Sequence, residues 1–463
     1  MSAPAGGGPS DAPMSAEPAG PATLDEVERR YLHDIFAELC AIESPSGRER
    51  ACAARITEEL RGLGIEVYED DAGLPAGSDC GNLLARIEAP PVDRRGDAGA
   101  AAANSGRARA GGSPRATAGG PIEGERLCIL LCAHMDTVPP QAPVEPVLRD
   151  GFWENANDGI LGADNKAAVA VLLALARHLH RDGVRPCSSG LAASGPPPGG
   201  TVRPDTRPAA AMPPVDIELL FTVGEEQMLA GARAFDRAQL RSHFGYVFDH
   251  ASPIGELVLS SPTHHRLQAT FRGVAAHAGV RPEEGRSAIL AAARAVADMR
   301  LGRIDAHTTA NVGTIAGGSA INVVPERCAI VAEVRALREQ RGEQLVAELL
   351  DCVHEAANLP ECECDVDVTV ERTFAGYRTS PSAPAVRAAE RALRACCHEP
   401  VRISSGGASD ANALIAAGLT VVNLANGTER NHEPGERVSA AALEAMLEIA
   451  LALPAAAAAH RSR

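Results

Sequence analysis

The sequence predicts an α/β protein with a second, smaller α+β unit. Residues 127–133, 217–223 and 420–424 are near-continuous apolar runs, the pattern of strands covered by helices on both faces. Residues 167–179 read as a helix with almost no polar face. Between about 264 and 374 the pattern changes to alternating strands and amphipathic helices in the order β-α-β-β-α-β. At 463 residues the chain exceeds what one core supports, so two or more domains are expected.

Composition narrows the function classes. Hydrophobic residues make up 45%, ordinary for a globular chain, and no apolar run is read as approaching the roughly 20 residues of a membrane span. The opening M-S-A-P-A-G-G-G-P-S has neither the basic region nor the apolar core of a secretory signal, so a cytoplasmic location is expected. The formal net charge of -16, with no Lys/Arg-rich cluster outside the loops, argues against a nucleic-acid partner. The 12 cysteines are scattered, and Cys362, Cys364, Cys396 and Cys397 lack the paired C-x-x-C arrangement of a zinc ribbon. Most are read as buried, reduced thiols.

In chain order, residues 1–22 are rich in Ala, Gly and Pro and are expected to be a disordered tail. A first unit is expected over 23–263. It begins with helices over 24–39 and 49–63, separated by a turn at 43–47, and with an edge strand 65–69 paired to 82–87. Residues of about 90–124 and 182–214 lack any apolar period and read as solvated insertions between core elements. A short apolar strand, 245–249, closes this part. The second unit, 264–376, is read with strands 267–273, 311–315, 328–334 and 366–370 and helices 287–299 and 338–357. Residues 377–453 form the stretch that follows, which the resemblance described below assigns to the first unit, and 454–463 are expected to be a C-terminal tail.

The chemistry gathers at the ends of the apolar strands. His134 ends one, and Asp136 follows on the same side. That is where α/β sheets keep their ligands. The carboxylate could hold one ring nitrogen while the other binds a metal; a strand that merely ends in two polar residues is the plain alternative. Asp164 and Asn165 start the apolar helix, where either could cap it. Gly162 and Ala163 allow close backbone approach, and a carboxylate partly buried there needs a cation. Glu225 and Glu226 follow the strand 217–223. Adjacent acids raise one another's pKa, and the pair persists most readily if one is neutralised by metal and the other used as a base. A solvated acidic turn is the alternative there. Asp249 ends a further strand, and His432 lies in N-H-E-P-G-E beyond 420–424. Five element boundaries presenting His, Asp or Glu form a constellation of hard and borderline metal ligands.

These residues carry a resemblance. AHMDTV at 133–138, GADNKAA at 162–168, TVGEE at 222–226, Asp249, GVAAHAG at 273–279, INVVPE at 321–326 and NHEPGE at 431–436 occur in order along the chain. The chain resembles the co-catalytic dizinc exopeptidases, a family that includes peptidase T, glutamate carboxypeptidase, aminoacylase and succinyl-diaminopimelate desuccinylase. GVAAHAG with the following PEEGRSAI, and Asp249 after G-Y-V-F, favour the peptidase T-like branch. The resemblance implies a mixed sheet flanked by helices, with residues 264–376 as an inserted ferredoxin-like lid that some members use to form a homodimer. It implies two Zn2+ per chain, with Co2+ or Mn2+ as substitutes. His134, Asp164 and Asp249 would hold one ion and Asp164, Glu226 and His432 the other. Asp136 would orient His134, Glu225 would be the general base, and the Asp164–Asn165 peptide would be cis.

On the lid, the resemblance implies that His277 reaches the scissile carbonyl and stabilises the oxyanion. Asn322 and Arg335 match positions that contact the substrate. A guanidinium suits a carboxylate, although Arg335 paired with a surface glutamate is an equal alternative. The loop 404–410 resembles a substrate-side loop. The expected function is hydrolysis of a terminal amide bond in a small peptide or an N-acyl amino acid, which these residues do not separate. A catalytically silent binding member of the fold is the alternative from another class; all ligands and the base are present against it.

Overall fold

The computed structural model describes residues 24–89, 126–183 and 215–459. The tail expected over 1–22 and almost all of the two insertions lie outside the described residues.

Helices α1 (Glu26–Ala41) and α2 (Arg50–Gly62) come first. Asp25 and Glu28 form a capping box at the start of α1. Strand β1 (Val67–Glu69) pairs antiparallel with β2 (Leu83–Ile87) at the edge of the main sheet, with the short α3 (Gly73–Ala76) between them. Then follow β3 (Leu127–His134), β4 (Pro146–Arg149), β5 (Phe152–Asn155) and α4 (Ala163–Gly183). Next come β6 (Val215–Thr222), α5 (Ala230–Ala234), β7 (Phe244–His250) and β8 (Glu256–Ser261). The inserted unit runs through β9 (Thr263–Arg272), α6 (Ala288–Asp298), β10 (Gly302–Asp305), β11 (Thr308–Gly317), β12 (Arg327–Ala336), α7 (Glu339–Ala357) and β13 (Asp365–Phe374). The chain returns through β14 (Tyr377–Arg378), α8 (Pro384–Ala395), β15 (Val401–Ser404), α9 (Asp410–Ala416) and β16 (Thr420–Ala425). It ends with β17 (Thr428–Glu429), β18 (Arg437–Ser439) and α10 (Ala440–Ala458).

The main sheet has the order β1-β2-β6-β3-β7-β16-β8-β14, with β15 also on β8. Its centre, β6-β3-β7-β16, is parallel, β1, β2, β8 and β14 join it through antiparallel pairs, and β15 runs parallel to β8. All eight residues of β3 are buried, as the continuous apolar run requires of a strand covered on both faces. One face packs on α1, α2, α4, α8 and α10. The other packs on Phe235, Leu240 and α9. The carboxyl ends of β3, β6, β7 and β16 therefore open at one edge, where His134 and Asp249 sit.

The inserted unit has its own apolar core and a sheet in the order β10-β11-β12-β9-β13. The four expected strands are in ferredoxin-like order, and α6 and α7 cover one face. The sheet is one strand wider than the sequence suggests. β10 is an exposed edge strand, Gly-Arg-Ile-Asp, with no alternation to reveal it. A small sheet, β17-β18-β5-β4, was not anticipated for the same reason: its strands are two to four residues long.

Two expectations about the C-terminus are corrected. Residues 454–459 are not a tail; α10 continues through Pro454 to Ala458, with Pro454 and Ala457 buried. Proline suggested a stop, but the alanine run beyond it is strongly helical. The statement that no apolar run approaches a membrane span is also too strong. By length and composition alone α10 could cross one. It packs as a core helix: Leu443, Met446, Leu447, Ile449, Ala450 and Leu453 are buried in the main core, and Glu444 faces Arg29 at 3.1 Å.

Candidate active site

The end of β3 delivers His134, buried to 1% exposure. Its Nδ1 lies 3.3 Å from Asp136 Oδ1 and 3.0 Å from the Asp136 carbonyl oxygen. That leaves Nε2 facing Asp164 Oδ1 at 3.3 Å and Asp249 Oδ1 at 3.5 Å. Asp136 and His134 are thus brought together as the strand periodicity predicts. Asp136 also has a task the sequence did not show. Its two oxygens accept the backbone N–H groups of Glu225 (3.0 Å) and Glu226 (3.2 Å), and Oδ2 accepts Ser46 Oγ at 2.7 Å. Burial pushes its carboxyl up, but these hydrogen bonds and the His134 imidazole hold it below the usual range.

Asp164 begins α4 with non-helical backbone, and the Asp164–Asn165 peptide is cis. Gly162 just before it has φ +77, a left-handed conformation that suits glycine. Asp164 Oδ2 lies 3.4 Å from His432 Nε2 and accepts Asn431 Nδ2 at 2.7 Å. One oxygen of Asp164 therefore faces each histidine, the disposition of a bridge. Glu226 Oε1 sits 2.7 Å from His432 Nε2. Asp249 is held by Asn423 of β16, whose side chain accepts the Asp249 N–H (3.0 Å) and donates to its carbonyl (3.1 Å). His277 and Asn322 lie together on an exposed part of the inserted unit: the Ala278 N–H donates to the Asn322 carbonyl, and His277 Nδ1 accepts the Gly279 N–H. Among the described residues neither contacts the His134–His432 cluster. Arg335 binds Glu333 at 3.2 Å, the alternative pairing, and Glu333 also takes His264 Nε2 at 3.0 Å. Glu333 and His264 line a cleft that reaches Gln227 and Met228, next to Glu226.

The residues fit a divalent metal centre. Potential donor atoms of His134, Asp164 and Glu226, and of His134, Glu225 and Asp249, each fall within 4.8 Å of one another. Among the described residues no lysine or arginine is ion-paired with these carboxylates. Glu226 Oε1 is buried without a hydrogen bond of acceptable geometry despite its contact with His432, an orphan of the kind a cation satisfies. Burial pushes Asp249 up to about 8 and Glu225 well above the usual range, with Asp249 adding to the second shift. The carboxylates of Asp164 and Glu226 beside it raise His432 to about 10.

Two residues at the site escaped the sequence reading. Glu436, 1% exposed, accepts the backbone N–H groups of Leu161 (3.0 Å), Gly162 (2.8 Å) and Asp164 (2.8 Å). It fixes the chain that carries the bridging carboxylate. The motif N-H-E-P-G-E contains it, but nothing local reveals a partner more than 270 positions away. Removing it as Glu436→Ala orphans three buried donors, each costing roughly 1–3 kcal/mol. Thermal unfolding is expected to shift down sharply, and zinc titration to show on the order of 10–100-fold weaker binding. Unchanged zinc affinity would reject this role. The other is Asp410, buried at the start of α9, whose Oδ2 accepts the Thr222 hydroxyl beneath the cluster. Burial pushes it up to about 6. The loop 404–410 was singled out, but for its backbone.

Comparison with known proteins agrees with this geometry. Residues 262–358 match the M20 peptidase dimerisation domain, and residues 119–286 match peptidase family M28. The uncharacterized protein YqjE of Bacillus subtilis is 30% identical over 427 residues, 92% of this chain and 98% of that one. The crystal structure of aminopeptidase PepT from Bacillus cereus is 31% identical, with a TM-score of 0.70 over 93% of this chain and 99% of that one. A Staphylococcus aureus tripeptidase is 28% identical, with a TM-score of 0.74 and the same coverage. The chain belongs to the M20 family of co-catalytic metallopeptidases, close to peptidase T.

Proposed function

We propose that this M20 metallopeptidase is a zinc-dependent exopeptidase that cleaves a terminal peptide bond of small peptides, as the names of its aminopeptidase and tripeptidase neighbours suggest. The observation that carries the reading is Asp164, one oxygen toward His134 and the other toward His432, with Glu225 beside them. His134, Asp164 and Asp249 would hold one ion, and Asp164, Glu226 and His432 the other. When bound, such ions polarise the scissile carbonyl and lower the pKa of the attacking water.

The chain's own residues supply the rest. Asp136 fixes the His134 ring through Nδ1 and so keeps Nε2 aimed at the cluster. Glu225 takes the proton from the attacking water and returns it to the leaving amine. Burial first and then Asp249 push its carboxyl well above the usual range, which makes it a stronger proton acceptor than an exposed glutamate. His277, on the inserted unit, donates to the developing oxyanion once that unit covers the substrate, and Asn322 and Arg335 orient the substrate from the same side. The dimerisation-domain match supports a homodimer through this unit. The buried free thiols support a cytoplasmic location.

A zinc-loaded preparation offered tripeptides, dipeptides and N-acyl amino acids tests the substrate. Preferential turnover of tripeptides is expected. Turnover confined to N-acyl amino acids would replace the peptidase reading with a deacylase on the same site. No turnover of any of them, with both ions bound, would leave the exopeptidase reading without support.

A further inference from the structure

The β3–β6 ladder ends at His134 opposite Thr222, so the next residues of the β6 chain have no neighbouring strand on that side. Yet Val223–Gly224–Glu225–Glu226 is where Glu225 and Glu226 must be aimed. Gly224 turns the chain with φ +57, and the stretch forms no regular structure that would receive its amides. Four consecutive N–H groups are instead accepted by buried side-chain oxygens. Val223 donates to Asn82 Oδ1 at 3.1 Å, Gly224 to Glu49 Oε1 at 3.1 Å, Glu225 to Asp136 Oδ1 at 3.0 Å and Glu226 to Asp136 Oδ2 at 3.2 Å. Asn82 and Glu49 are themselves fixed, Asn82 Nδ2 by Asp70 (2.9 Å) and Glu49 Oε2 by the Ser78 hydroxyl (2.7 Å). Asp136 already has the His134 ring to hold. Glu49 has no such duty, caps no helix with its side chain, and is completely buried.

We propose that Glu49 is a positioning residue for Glu225: its carboxylate holds the Gly224 amide and thereby sets the path of the chain that presents the base and the adjacent ligand. A buried carboxylate is costly unless its hydrogen bonds justify it. Glu49 directs one oxygen to an amide of this loop and the other to the Ser78 hydroxyl, with the backbone at Gly47 and at Glu49 itself also helping to hold the carboxyl. A wandering loop would misplace Glu225 relative to the attacking water, and small misplacements of a proton-transfer group reduce turnover steeply. What matters in this arrangement is reach to Gly224, more than negative charge.

The inference rests on Glu225 acting as the base, and two conservative variants test it. Glu49→Gln keeps the reach and an acceptor oxygen but removes the charge. Glu49→Asp keeps the charge and withdraws the oxygen by one methylene. In the zinc-loaded enzyme Glu49→Gln is expected to stay within about threefold of wild-type kcat, and Glu49→Asp to lose about 10–100-fold in kcat with KM nearly unchanged. Amide hydrogen exchange on metal-free protein gives a readout independent of turnover. Residues 223–226 should exchange faster in Glu49→Asp, while β3 and the body of β6 keep their protection. Equal damage in both variants, damage in Glu49→Gln alone, wild-type behaviour in Glu49→Asp, or loosening spread along the whole of β6 would each overturn it. If the wild type turns over no substrate, the proposed function fails while the exchange comparison still decides what Glu49 holds.

Discussion

A Glu225→Gln variant is expected to keep its fold and both ions while turnover falls by on the order of 10²–10⁴, the usual worth of a positioned general base. The loss should fall on kcat with KM nearly kept, because the base acts in the transition state. Glu226→Gln is expected to differ in kind, losing an ion as well as activity, since its carboxylate lies against His432. The contrast is needed because geometry alone leaves both acids near the cluster: Glu225 could itself complete a group with His134 and Asp249. Steady-state kinetics with metal analysis on the two variants separates the roles. If Glu225→Gln sheds metal and Glu226→Gln does not, the assignments are exchanged.

Chelation is expected to abolish turnover, with recovery on adding zinc, cobalt or manganese, and to lower thermal stability increasingly as pH rises from about 6 to about 8. The sign follows from the shifted groups. Asp249, raised to about 8 chiefly by burial, gives the metal-free protein stability that is full below the ordinary carboxylate range and lost as pH climbs through about 8. His432, raised to about 10, loses its contribution across the window from the ordinary imidazole range upward. Asp164 is depressed, so its contribution is full above the ordinary carboxylate range and flat between about 6 and 8. A bound cation replaces these protons and removes the slope. At roughly a hundred times its Kd, zinc adds about 2.7 kcal/mol. Thermal unfolding with and without zinc across that range checks this; a gap that narrows toward higher pH would contradict it.

The part of the site legible in the sequence was the part written locally. His134 and Asp136 share a side because strand residues alternate, and β3 declared itself by seven residues, 127–133, without a polar break. Glu225, Glu226 and Asp249 stood at the ends of runs equally clear. The supporting acids were not legible in the same way. Glu49 and Glu436 look like surface residues of a helix start and a turn, and only folding shows that they meet amides 175 and more than 270 positions away. Short strands such as β10 and β17 owe their existence to a neighbour's edge and not to their own pattern. On the inserted unit, His277 and Asn322 were found side by side, whereas Arg335 was found on Glu333, a competition that no single sequence can settle.

The most direct measurement is anomalous diffraction at the zinc edge from crystals of the zinc-loaded protein. A dinuclear centre predicts two peaks per chain, one touching His134, Asp164 and Asp249 and one touching Asp164, Glu226 and His432, with Asp164 common to both. A single peak, or two peaks that do not share Asp164, would contradict it.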